Sequence, residues 1–221
     1  AMVGKLGATA SASIGLVESA TWLFGGLCSA VSLGFSVQVA HFIGANDFVK
    51  ARHVMRHALV ATLAFSVLVT LCASLIAFRL PGWLRGGDDI ALDASLYFLI
   101  YALSVPFLQL GILSSNMLKS AGNMQIPSIM SVLMCVLDVC FNYLFIYVAG
   151  LGVPGAALGT VLSIAIVASV EAWFALFRSS ILALRLDKER FVWMWSYVRN
   201  AVKISAPIAA QYVLMSGAQI V

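Results

Sequence analysis

Three polar side chains stand where a run of apolar residues leaves least room for them. Asp138 lies midway between Pro127 and Ala149 in an otherwise uncharged stretch. Asn142 follows one helical turn later and on the same face. The chain then reverses at Gly150–Gly155, and Thr160 falls at about the depth of Asn142, roughly 9 Å beyond the turn if both segments are helices. A carboxylate, an amide oxygen and a hydroxyl form a hard, oxygen-only ligand set suited to Na⁺, and the carboxylate by itself can carry a proton. The same three residues also read as an interhelical hydrogen-bond cluster worth about 1–2 kcal/mol. Spacing leaves both readings open.

Two further acids interrupt apolar runs. Glu18 lies near the start of the first run, and Glu171 lies roughly 25 Å along the fifth. Each reads either as a residue reaching for the headgroups or as one facing an interior. Glu18, Trp22, Gly25, Ser29, Ser32 and Ser36 recur at helical spacing, which implies close packing or a polar cavity wall. Gly155 and Gly159 form a GxxxG pair. His53 and His57 are spaced for a metal but lack a third ligand and sit among Arg52 and Arg56, so a solvated basic face is expected. Cys28, Cys72, Cys135 and Cys140 form no CxxC pair and read as small packing residues. No P-loop, HExxH or GxSxG occurs, and one mid-membrane acid without a histidine near its depth argues against an intramembrane enzyme.

The elements that must position these groups follow from composition. Of 221 residues, 62% are hydrophobic and 10% charged, against roughly 45–50% and 25% in soluble domains. Mean hydropathy is +1.01. Nine acids and thirteen bases, net +4, cannot coat a solvated body of this size, and a disordered chain needs the opposite balance. An all-α, polytopic membrane protein remains. Helices are the spanning form, because backbone groups in lipid must be satisfied internally.

Five complete spans are expected at about 14–40, 58–78, 94–117, 127–149 and 154–177, and a sixth starts near Ile204. Pro106 should free a carbonyl in the third that needs another partner. Turn chemistry marks Arg79–Trp83, Gly86–Asp89, Ala121–Pro127 and Gly150–Gly155. One set of connections carries Lys50, Arg52, Arg56, Lys119, Arg178, Arg185, Lys188, Arg190, Arg199 and Lys203, and the other only Lys5, Arg79 and Arg85. The richer set is placed in the cytoplasm. Leu186–Lys203 mixes charges with Phe191, Trp193, Trp195 and Tyr197, the composition of a helix or elbow lying at the headgroup level.

Three pieces carry a family resemblance. Val39-Ala-His-Phe-Ile-Gly-Ala-Asn-Asp47, Lys119-Ser-Ala-Gly122 with Pro127, and Asp138–Ile146 followed by Gly152–Thr160 resemble, in order and spacing, the multidrug and toxic compound extrusion (MATE) transporters. The resemblance implies a fold: the N-terminal lobe of a two-lobed, twelve-helix transporter lacking the first helix. Residues 1–178 would be that lobe, 179–203 a cytoplasmic interlobe linker and 204–221 the start of the second lobe. It also implies a cation site. Asp138, Asn142 and Thr160 fall on the family's positions in helices five and six, with the acid and the amide exchanged. Gln38, Ser115 and Asn116 are candidates for the substrate cavity.

The resemblance further implies a secondary transporter of the bacterial inner membrane, monomeric when full length, exporting amphipathic or cationic compounds against Na⁺ or H⁺. It would have no cofactor beyond that coupling ion, no enzymatic activity and no nucleic-acid partner. The alternatives are a lipid-linked oligosaccharide flippase, which would want a basic cavity, and a non-functional fragment.

Overall fold

The computed structural model describes residues 8–79, 88–183 and 192–220. Its helices are α1 (Ala8–Gly44), α2 (Phe48–Ile76), α3 (Asp88–Ser120), α4 (Gln125–Tyr143), α5 (Gly152–Trp173) and α6 (Trp195–Ile220). α4 and α5 each run on through a wider, π-helical turn, at Leu144–Val148 and Phe174–Arg178. Among the described residues five helices, α1 to α5, are long and apolar enough to cross a membrane. The expected turns at Arg79–Trp83 and Gly86–Asp89 and the first part of the Leu186–Lys203 connection lie wholly or partly outside the described residues.

Local chemistry sets the ends. α1 closes where Asn46 takes the left-handed conformation (φ 58°). The Asn46 and Asp47 amides then bond back to the carbonyls of Ile43 and Phe42. Asp47 turns at once into the cap of α2, its Oδ1 accepting the Lys50 amide at 3.1 Å, while the Lys50 ammonium sits 2.8 Å from Oδ2. Those Lys50 contacts hold the Asp47 carboxyl below the usual carboxylate range. α3 ends in the same manner with Gly122 at φ 81°, a conformation a Cβ would strain.

Pro106 lies inside α3, and the carbonyl it leaves without an amide is that of Ala102. Thr70 of α2 donates to that carbonyl at 3.1 Å. The partner expected from sequence is thus supplied by a neighbouring helix.

α3 is the central post. It packs against α1, α2 and α5, while α4 leans on α5 and α6 lies along α1. Short connections put the Lys50, Lys119 and Arg178 ends of the helices together at one basic end. The largest core cluster is there, built on Phe35, Met55, Leu113, Met117 and Leu182. A smaller cluster around Val17, Phe98 and Ala102 closes the opposite end. Leu68, Leu71 and Leu75 of α2 and Val132, Val136 and Val139 of α4 face outward, as a lipid solvent requires.

α6 begins at Trp195, so residues 195–203 are helix, one of the two forms their composition suits. Its docking explains why: Tyr197 is buried against α1 and α2, and an amphipathic segment with such a partner continues its helix. One expectation is corrected: the His53–His57 face is not solvated. His57 is fully buried between Trp193 and Tyr197, its Nδ1 2.7 Å from the His53 carbonyl and its Nε2 accepting the Met194 amide at 2.8 Å. Among the described residues no group of three His, Cys, Asp or Glu side chains could hold a metal.

Candidate functional site

The α4–α5 seam is set by the two glycines. A Cβ on Gly155 would come 2.8 Å from the Phe145 carbonyl oxygen, and one on Gly159 would come 2.9 Å from the Asn142 amide nitrogen and strike its Oδ1. The GxxxG pair therefore does what such pairs do, letting two backbones touch. This contact also fixes register. Asn142 lies directly against Gly159, which puts Thr160, the next residue, at the depth of Asn142.

Asp138 and Asn142 occupy one face of α4, one turn apart. Each has a buried Oδ1 with no hydrogen-bond partner among the described residues. A buried oxygen left this way costs about 1–3 kcal/mol, and more where it carries charge. A hydrogen-bond cluster that only held the helices together would have paired these two acceptors. Carboxylate, amide and hydroxyl oxygens are the donor set that a hard cation takes up, and the carboxylate is also a site for a proton.

Tyr97 of α3 is a residue the sequence analysis missed. It stands within electrostatic reach of both Asp138 and Glu18. With Tyr101, one turn on, it walls a hollow of about 400 Å³ that also takes in Glu18, Trp22, Gly25 and Ser29. The only sequence signal was that tyrosine pair at helical spacing. In this hollow the Trp22 indole donates to Glu18 at 3.4 Å, and Tyr101 donates to the Thr21 carbonyl at 3.4 Å.

A second cavity of about 400 Å³ opens toward the basic end and shares Ser29, Leu108, Ile112 and Tyr212 with the first. Ser115 and Asn116 line it together with Lys119 and Glu171. Glu171 is 5% exposed, so it faces the interior of the bundle and not the headgroups. The Ser115 hydroxyl shares its cavity wall and stands near its carboxylate.

The polar stripe on α1 divides: Ser29 faces both cavities, while Ser32 is buried and accepts from Gln109 at 2.8 Å. Gln38 stands apart from Ser115 and Asn116. Its Nε2 donates to the carbonyls of Gly34 and Tyr197, both at 3.1 Å, and it borders a separate hollow of about 500 Å³ beside α6.

The MatE family model matches residues 1–144. The chain is 26% identical over 183 residues to "Multidrug export protein MepA" of Staphylococcus saprophyticus, covering 83% of this chain and 39% of that protein. It is 24% identical over 200 residues to "FAD transporter" of Shewanella oneidensis, covering 86% and 44%. The chain thus spans less than half the length of these relatives. Among solved structures, the inward-facing conformation of a multidrug resistance MATE family transporter superposes with a TM-score of 0.90 at 23% identity, covering 99% of this chain and 50% of that one. A MOP superfamily transporter from Pyrococcus furiosus gives a TM-score of 0.89 at 22% identity, covering 97% and 47%.

Proposed function

We propose, from the premise that this chain belongs to the MatE family, that it is part of a secondary transporter exporting amphipathic, often cationic organic compounds in exchange for Na⁺ or H⁺. Membership makes it a multi-pass membrane transport protein. The observation that carries the finer reading is the pair of buried Oδ1 atoms on Asp138 and Asn142, one turn apart on α4, that have no hydrogen-bond partner among the described residues.

In this mechanism the Asp138 carboxylate takes the ion or the proton. Asn142 and Thr160 offer neutral oxygens beside it. Occupancy cancels a buried charge and thereby changes which packing of α4 on α5 is lower in energy. The Gly155–Gly159 seam, having no side chains, is where the two helices can shift against each other. The lobes then rock about a site near the midplane, opening to each side in turn.

The flippase reading wants cations for a pyrophosphate, as would the dinucleotide named for the Shewanella relative. Among the described residues the inner cavity carries one, Lys119, and it is exposed. A buried acid opposite a single cation favours cationic cargo.

The test is dye efflux from cells expressing the full-length protein. Asp138→Asn is expected to abolish efflux driven by an ion gradient, with the protein still present in the membrane. Undiminished, gradient-dependent efflux in that variant would falsify the role of Asp138.

A further inference from the structure

The inner cavity holds an acid that the ion-coupling mechanism does not use. We infer that Glu171 is the counter-charge of an organic-cation subsite: its carboxylate receives the cationic centre, and the apolar walls of α1, α3, α4 and α5 receive the hydrophobic body. This inference rests on the export reading above and gives it a location.

Size comes first. About 400 Å³ lies within the 300–1,000 Å³ typical of small-molecule sites. An inorganic cation fills only a small part of that, and it wants a shell of oxygens close at hand. The walls instead carry Leu33, Leu108, Ile112, Met134 and Val167, with the carboxylate set among them. A cavity with largely apolar walls and one buried carboxylate, its lysine lying exposed, fits an amphipathic cation.

The charge is also uncommitted. Among the described residues the one ion pair within 4.0 Å is Lys50–Asp47. Glu171 has the neutral Ser115 hydroxyl near it and only the longer-range field of Lys119, one turn further along α3. A buried carboxylate with no ion-pair partner among the described residues favours the arrival of a cation. Gly111 lets α3 pack closely on α5 beside this acid: a Cβ there would press on the Ala168 Cβ at 3.1 Å and come within 4.0 Å of Glu171 Oε2. Lys119 sits exposed at the rim, so a bound cation would compete with it for the same acid.

Titration calorimetry on the purified full-length protein tests this with two probes of similar shape: tetraphenylphosphonium, a permanent cation, and neutral triphenylphosphine oxide. Glu171→Gln is expected to weaken tetraphenylphosphonium about tenfold, the size of one charge-assisted contact, and to leave the neutral probe unchanged. Lys119→Gln should tighten the cation about threefold by removing its competitor, and this variant decides the matter if Glu171→Gln does not fold. Three results overturn the subsite: unchanged cation affinity in folded Glu171→Gln, equal loss for both probes, or weaker cation binding in Lys119→Gln. Displacement of the cation by Na⁺ at constant ionic strength that disappears in Glu171→Gln would also overturn it, in favour of an inorganic-ion site. A wild-type protein that neither binds the cation nor exports any dye overturns the export reading itself. Gradient-driven export with the variants binding normally overturns the subsite alone.

Discussion

Asp138 and Glu171 are both acids inside apolar helices, yet their surroundings differ in kind. Asp138 stands on α4 beside a seam so tight that a Cβ on Gly159 would strike Asn142, and one of its oxygens has no hydrogen-bond partner among the described residues. Glu171 stands on α5 at the wall of a 400 Å³ cavity, with the Ser115 hydroxyl nearby and a lysine at the rim. A tight seam has room for something the size of a proton or a bare cation. A cavity with apolar walls has room for a molecule. On the proposed reading the same ionisable group serves coupling on α4 and recognition on α5, according to the space its neighbours leave.

Efflux kinetics offer the sharpest way to break that contrast. Asp138→Asn is expected to lower the maximal gradient-driven rate at least about a hundredfold, because no remaining group on that face carries charge. Glu171→Gln should leave the rate at saturation close to wild type and raise the half-saturating concentration of a cationic dye about tenfold. Identical profiles for the two variants would mean that the two acids form one functional unit.

The seam itself is tested by Gly159→Val. The added side chain meets the Asn142 backbone, and a loss of about 1–3 kcal/mol is expected, read as a lower melting temperature of the full-length protein. A neutral result would show that α4 and α5 are not in contact there. Thr70→Val should cost less, about 0.6 kcal/mol, the average for one interhelical hydrogen bond in a membrane, although it leaves the Ala102 carbonyl beside Pro106 without its donor.

The smallest effect is expected at the Asp47 cap. Its carboxyl is held below the ordinary range by the Lys50 hydrogen bonds, so its contribution is present above the ordinary carboxylate pKa and lost as pH falls through the lowered value. Melting temperature measured down the acid limb should show a shallow decline that Asp47→Asn lacks. No change in slope would place the cap outside the stability of the bundle.

Much of this was legible before any coordinates. Periodicity alone put Asp138 and Asn142 on one face, because positions four apart on a helix always share a face. Pro106 required a foreign donor for a carbonyl, because proline has no amide to give. Length, hydropathy and the distribution of basic residues fixed the number of complete spans and the basic end. The turns could be read too, since Asn46, Asp47 and Gly122 act on their immediate neighbours.

Tertiary structure alone decided which way each helix is rotated. In water an apolar stripe marks the buried face, but in lipid the outer face is apolar as well, so the pattern does not say which residues look inward. For that reason Glu171 could be read as an interface residue until α3 brought Ser115 against it, and His57 as solvated until Met194 and Trp193 covered it. Gln38 likewise could be assigned to the cavity of Ser115 and Asn116 until α6 brought the Tyr197 carbonyl to its amide. Each of these contacts joins segments far apart in the chain, beyond the reach of helical periodicity.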